Sequence, residues 1–309
     1  MNVIETRGLT RRYRDETALD NVTLNIAPNR IYGLLGRNGA GKTTLMSILT
    51  AQGFASSGEF RVFGGNPFEN EAILSRICFV RESQKYPDDF TVRNALDAAA
   101  LFFPNWDKDL AQTLLEDFQL PRPKKHRIKK LSRGQLSAVG VIIGLASRAD
   151  LTFFDEPYLG LDAVARQLFY DRLLTDFADH PRTIILSSHL IDEVANLLEH
   201  VIVIDHGRIV MDDEVEAITG SAFAVAGRSS AVEEFIAGRP VLHREGLGAL
   251  SSVTVDAPLS PDDRERARAM GLELAPVSLQ QLIIRRTLKA NERFGSPAEN
   301  NEKDLEVLR

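Results

Sequence analysis

The stretch GRNGAGKT, from Gly36 to Thr43, carries the most specific chemistry in the chain. Its spacing is that of a glycine-rich turn, G-x-x-x-x-G-K-[ST], whose backbone N–H groups can curl around phosphates. The candidate nucleotide-binding residues are Gly36, Arg37, Asn38, Gly39, Ala40, Gly41, Lys42, Thr43 and Thr44. Lys42 can reach the β- and γ-phosphates, and Thr43 offers a hydroxyl to Mg²⁺. Further on, LTFFDEP from Leu151 ends an apolar run in two adjacent carboxylates. Neighbouring side chains in a strand point to opposite faces unless the chain turns, as Pro157 suggests. The two acids can then divide the work, with Asp155 holding Mg²⁺ and Glu156 polarising an attacking water. Ser187, Ser188 and His189 close the next strand, where His189 can reach a γ-phosphate or the water.

A second anion site is written in KKLSRGQLSAVGVIIGLA from Lys129, where Ser132 and Gly134 precede an apolar helical run. Ahead of it, PRPKKHRIKK from Pro121 to Lys130 holds six Lys or Arg residues and no acid. That run reads as a solvated loop, a surface near anionic lipid headgroups, or a nucleic-acid contact. No aromatic interleaving supports base stacking.

These residues need a scaffold that brings strand ends together. NVTLNIAPNRIYGLLG reads as strand, turn and buried strand, and the glycine-rich turn then leads into the helical TTLMSILTAQ. Further buried strands are expected at Ile77–Val80, Leu151–Phe154, Thr183–Ser187 and Val201–Asp205, with amphipathic helices between several of them. Such alternation predicts an α/β fold around a mainly parallel sheet. Between Thr91 and Ala146 the pattern is helical without convincing strands, which marks an inserted helical subdomain. After Gly220 the alternation shortens, with strands expected at Ala222–Ala226, Ser252–Asp256 and Leu272–Ala275 and helices at Ala231–Ala237 and Asp262–Met270. The polar tail 291–309 is expected to be disordered.

Composition limits the alternatives. The chain has 309 residues, 44% of them hydrophobic and 26% charged, as ordinary globular proteins do. A formal net charge of -6 exerts no global pull on nucleic acid. One cysteine, Cys78, excludes an internal disulfide and fits a reducing compartment. The N-terminus has no secretory apolar core, and no apolar stretch approaches the ~18–20 residues a membrane span needs.

GRNGAGKT, LSRGQ, LTFFDE, YLGLD and SSH occur here in the order and spacing of the nucleotide-binding domain of ABC transporters, which residues 3–220 resemble. The resemblance implies a P-loop NTPase core with a mainly parallel sheet, an antiparallel β subdomain and an inserted helical subdomain at about 91–147. The corresponding organisation is an ATP-binding domain at 1–220, a small C-terminal α+β domain at 221–290, and the tail. It also implies a head-to-tail pair of subunits, a homodimer by expectation, with two ATP molecules and Mg²⁺ at the interface. Ser132, Arg133, Gly134 and Gln135 would then contact the ATP of the opposite subunit. By the same resemblance Tyr13 stacks on adenine, Glu156 is the catalytic base and His189 the switch histidine. Asp162 lies in the loop through which the two sites communicate.

Two positions depart from the family pattern. In ICFVRESQKYP either Glu82 or Gln84 can take the glutamine-loop role beside the metal. Arg133 stands where the family has glycine, and it can point to phosphate or to solvent. The implied activity is ATP hydrolysis that drives a separate integral membrane permease from the cytoplasmic face of the membrane. Export of a drug, an antimicrobial peptide or a lipid is the expected task, with no nucleic-acid partner. The alternative is a soluble, non-transport ABC ATPase acting on ribosomes or nucleic acid.

Overall fold

The computed structural model describes residues 1–82, 84–120 and 126–294, with side chains of the last helix described as far as Leu288. Contacts divide the chain into two compact units, one comprising 1–189 with 197–211 and the other 190–196 with the residues from 212 onward. The expected boundary at 220 thus lies nine residues beyond the first unit's end at Met211.

The first unit has two sheets. Strands β1 (Ile4–Tyr13), β2 (Glu16–Ile26), β3 (Ile31–Leu35), β4 (Ser57–Val62), β5 (Ile77–Val80), β6 (Leu151–Asp155), β7 (Thr183–Ser188), β8 (His200–Asp205) and β9 (Arg208–Glu214) follow in chain order. An antiparallel sheet runs β2-β1-β4, and the main sheet runs β5-β6-β7-β3-β8-β9. In the main sheet β5/β6, β6/β7, β7/β3 and β3/β8 pair in parallel. Every residue of β3, β6 and β7 is buried, which is why these strands read as largely apolar runs without polar alternation.

Register is what prepares the site. Asp155 pairs with Ser187, and Leu35 pairs with Ser188, so β3, β6 and β7 end at one level. β3 has its successor in sequence order on neither side, since it lies between β7 and β8. In open α/β sheets ligands bind outside the carboxyl ends of strands at such crossovers. The helix Lys42–Leu49 follows β3 at once and buries Leu45, Met46, Ile48 and Leu49. These residues share one apolar core with Leu9 and Val22 of the antiparallel sheet and Phe153 and Ile204 of the parallel one. Truncating Leu45 to Ala in such a core costs about 2–5 kcal/mol.

Three helices fill the described part of the inserted subdomain: Val92–Phe102, Lys108–Asp117 and Arg133–Ala146. Each starts on a side-chain cap, from Thr91, Asp107 and Ser132 respectively. Capping satisfies N–H groups that the first turn leaves without partners. The residues Pro121–Lys125 of the cationic run lie outside the described residues.

The second unit carries an antiparallel sheet of β10 (Phe223–Arg228), β11 (Val241–Leu247), β12 (Leu250–Val255) and β13 (Glu273–Pro276), ordered β11-β12-β10-β13. Phe223 and Val225, alternate residues of β10, point into a core with Val253 and Val255 of β12. Val232 and Phe235 of the helix Ser229–Ile236 and Ala267 of the helix Pro261–Ala269 complete it. The three anticipated strands are present with ends shifted by a residue or two, while β11 was not anticipated. Its sequence VLHREGL has no buried residue, so no core-facing alternation marks it. The final helix runs Leu279–Phe294, so Asn291–Phe294 of the expected tail are helical. Residues 295–309 lie outside the described ones.

Candidate active site

The loop between β3 and its helix is built on backbone that a side chain would obstruct. Gly36 has φ 155°, and a Cβ there would lie 2.2 Å from Ile204 O. Gly41, at φ 111°, would meet Ala18 O at 2.5 Å. The tip formed by Arg37, Asn38 and Gly39 is exposed, Ala40 and Lys42 are buried, Thr43 is exposed and Thr44 half-buried. Lys42 Nζ folds back over the loop, donating to Gly36 O at 2.7 Å and Arg37 O at 3.3 Å.

Its ammonium also lies 3.2 Å from Glu156 Oε1, both side chains being under a tenth exposed. Asp155, the last residue of β6, accepts from Thr43 Oγ1 at 2.8 Å and from Ser187 Oγ at 2.7 Å. Glu156 then adopts a left-handed backbone, φ 49°, while Ser187 Oγ accepts its N–H at 3.0 Å. Such a conformation costs a non-glycine residue about 1–3 kcal/mol and persists only where surroundings impose it. The turn predicted from Pro157 therefore begins one residue earlier. Its effect is to bring both carboxylates beside the phosphate loop, on different partners.

Glu156 divides its two oxygens. Oε1 faces Lys42 without the alignment of a hydrogen bond. Oε2 accepts the Tyr158 hydroxyl and lies 3.0 Å from His189 Nδ1. Tyr158 also lies 3.0 Å from Ser188 Oγ and 3.2 Å from His189 Nδ1, and it accepts the His189 N–H at 3.3 Å. Burial pushes its hydroxyl pKa well above the usual range, and the neighbouring Glu156 charge adds to the shift. Sequence reasoning missed this residue. The available signal was a bulky hydroxyl side chain two positions after the carboxylate pair, inside the turn of DEPYLGLD.

Glu82 and Gln84 both line a small cleft with Asp155 and Glu156. Their side chains differ: Glu82 Oε1 accepts from Arg133 Nη2 at 2.9 Å, and Gln84 Nε2 donates to Lys85 O at 3.5 Å. The signature turn is a helix start in which Ser132 Oγ accepts the Gln135 N–H at 3.2 Å and Gln135 Oε1 accepts the Ser132 N–H at 3.0 Å. A Cβ on Gly134 would lie 2.4 Å from Gly160 O, so the turn sits directly on the YLGLD segment. Ser137 reinforces that contact by donating to Leu159 O at 2.6 Å. Asp162 caps the helix Ala163–Asp179, accepting the Ala165 N–H at 2.8 Å. Tyr13, at the end of β1, is 48% exposed. The Arg11 guanidinium lies over its ring, 4.2 Å from the centroid.

Hydroxyl and carboxylate oxygens at Thr43 and Asp155 suit a hard cation. Mg²⁺ is commonly held by one or two carboxylates together with substrate phosphates. Among the described residues no group of three or more His, Cys, Asp or Glu could hold a metal by itself. One carboxylate and one hydroxyl, 2.8 Å apart, are protein donors that fit an ion held together with nucleotide phosphates.

A glycine-rich phosphate loop, paired carboxylates and a histidine at the aligned ends of parallel strands define a P-loop NTPase. The ABC transporter family profile matches residues 19–159. The chain is 31% identical over 224 residues to the uncharacterized ABC transporter ATP-binding protein YcbN of Bacillus subtilis, covering 71% of each. It is 32% identical over 210 residues to the bacitracin transport ATP-binding protein BcrA of Bacillus licheniformis, covering 67% of this chain and 68% of that one. With the daunorubicin/doxorubicin resistance ATP-binding protein DrrA of Streptomyces peucetius it shares 30% identity over 213 residues, 68% of this chain and 64% of that one. A solved ATP-binding subunit of an ABC transporter superposes with TM-score 0.63 at 22% identity, covering 70% of this chain and 91% of that one. A cassette solved as a post-hydrolysis dimer with ADP and Pi gives 0.60 at 20% identity, over 69% of this chain and 98% of that one. The chain belongs to the ABC transporter family as an ATP-binding subunit, an ABC-type ATPase.

Proposed function

We propose that this subunit hydrolyses ATP to power a separate integral membrane permease that exports a drug, an antimicrobial peptide or a lipid. It works as a peripheral subunit at the cytoplasmic face of the cell membrane. The observation that carries this reading is the range of relatives named for bacitracin transport, daunorubicin/doxorubicin resistance and Nod factor export. Among the described residues no helix is long and apolar enough to cross a membrane. The permease is accordingly a partner chain in this proposal.

The chemistry follows from the site. Backbone N–H groups of the Gly36–Thr43 loop and the Lys42 ammonium hold the phosphates, and Tyr13 stacks on adenine. Mg²⁺ would be held by Thr43 and Asp155, with Glu82 or Gln84 nearby, and when bound it neutralises charge on the β- and γ-phosphates. Glu156 takes a proton from water as the water oxygen bonds to the γ-phosphorus. The bond from that phosphorus to the β–γ bridging oxygen breaks, leaving ADP and phosphate. His189 contacts the γ-phosphate. Ser132, Arg133, Gly134 and Gln135 of a second copy close the site in a head-to-tail homodimer, and Asp162 lies in the loop that couples the two sites.

Purification of the tagged chain from native membranes in mild detergent tests the proposal. Recovery of a multi-span protein whose presence stimulates ATPase activity is expected. Recovery with ribosomes or nucleic acid, and no integral membrane protein, would establish the soluble alternative instead.

A further inference from the structure

We infer that Tyr158 is a positioning residue for hydrolysis: its hydroxyl fixes one oxygen of Glu156 and the ring of His189, so that phosphate binding at Lys42 frees only the other Glu156 oxygen. The inference rests on the assignment of Glu156 as the base.

The geometry behind it is closed on every side. Tyr158 is 1% exposed, and its hydroxyl meets Glu156, Ser188 and both the ring and the backbone N–H of His189. The segment that carries it cannot shift freely. Leu159 N–H donates to Glu156 O at 3.1 Å, Ser137 holds Leu159 O, and Gly160 lies against Gly134. The ring is thus anchored to the signature helix from one side and to the ends of β6 and β7 from the other.

Lys42 gives the arrangement its consequence. Its ammonium is shared among Gly36 O, Arg37 O and Glu156 Oε1. Phosphate oxygens compete for that ammonium, and Oε1 loses the Lys42 cation beside it. A carboxylate with both oxygens released would rotate or follow the lysine. Here Oε2 stays bound to Tyr158 and His189, so Oε1 is presented in a fixed direction to accept a proton. The high pKa of the buried phenol keeps the hydroxyl a donor throughout the neutral range.

Tyr158→Phe removes the donor and keeps the ring. The expected result is a fall in kcat of about 10- to 100-fold, as for a lost hydrogen bond to a charged group, with the Kd for ATP unchanged. Incorporating para-aminophenylalanine at position 158 keeps an N–H donor at the same place and should restore most of kcat. An unchanged kcat in Tyr158→Phe, or a fall matched by an equal loss of ATP affinity, would overturn the inference. Should that chain fail to fold, Ser188→Ala loosens the hydroxyl from one partner. It should lower kcat by about 2- to 10-fold at constant ATP affinity, and no fall would again count against the inference. If Glu156→Gln retains turnover, the base assignment itself has failed. If Glu156→Gln is inactive and Tyr158→Phe is not, only the positioning role has failed.

Discussion

Arg133 donates from a guanidinium nitrogen to Glu82 Oε1 at 2.9 Å, joining the signature turn to the loop after β5. Arg133 is the departure expected in the signature, and Glu82 is one of the two residues expected to take the glutamine-loop role. The pair is open to water, with side chains 69% and 44% exposed. Exposed pairs of this kind contribute about 0–1 kcal/mol. Arg133→Gln should therefore lower the unfolding midpoint by no more than about 2–4 °C. Scanning calorimetry should find that difference gone at about 1 M salt, where the screening length is about 3 Å. A difference that survives salt would instead assign the effect to packing of Arg133 on Gly160.

Glu156 and Lys42 call for paired variants. Glu156→Gln should lower kcat by about 10²- to 10⁴-fold, the range of a general base, and leave an ATP-bound dimer detectable by size-exclusion chromatography. Lys42→Ala should weaken ATP binding. It should also destabilise the nucleotide-free chain by about 3–5 kcal/mol, because a buried carboxylate loses its cation. Adding Glu156→Gln to Lys42→Ala removes the stranded charge, so the double variant should unfold at higher denaturant than Lys42→Ala alone. Equal midpoints would mean that the ion pair has no energetic weight.

Ser132 caps its helix and, in the proposed dimer, also meets the opposite subunit's ATP, and the two roles are separable. As the helix cap it contributes about 0.5–2 kcal/mol, so Ser132→Ala should lower stability even in a monomer. Asparagine is an equally good cap. Ser132→Asn should restore the melting temperature while ATPase activity at dimer-forming concentration stays low. Recovery of both together would leave the serine with a capping role only.

Cys78 is 2% exposed, and burial pushes its thiol up to about 12 against the smaller opposing effect of a hydrogen bond with Ser147. The thiolate is the reactive form. Native protein at pH 8 should resist maleimide for hours, and labelling followed by mass spectrometry should find full modification only in denaturant. Rapid native labelling would reveal opening of β5.

Much of this molecule is written locally. The phosphate loop, the carboxylate pair and the serines before His189 are contiguous motifs, and the buried strands β3, β6 and β7 announce themselves by short, largely apolar runs. What escaped depends on register and on distant approach. Arg133 and Glu82 are 51 positions apart, and only the packing of the signature helix beside β5 makes them neighbours. Tyr158 is close in sequence to Glu156, yet its importance needs the left-handed turn at Glu156 that aims both at His189. β11 escaped for the opposite reason, since in VLHREGL the run His243–Gly246 leaves no apolar alternation to read.

The reciprocal Ser132–Gln135 cap means that the signature half-site is shaped before any second subunit arrives. Docking onto a preformed surface spares most of the ordering entropy that a flexible loop would lose on association. In the proposed head-to-tail dimer, closure could then draw its driving force from the nucleotide, and loss of the γ-phosphate would let the two capped surfaces part. In the proposed cycle, which must open as readily as it shuts, a half-site held by its own cap has no folding step to repeat at each turn.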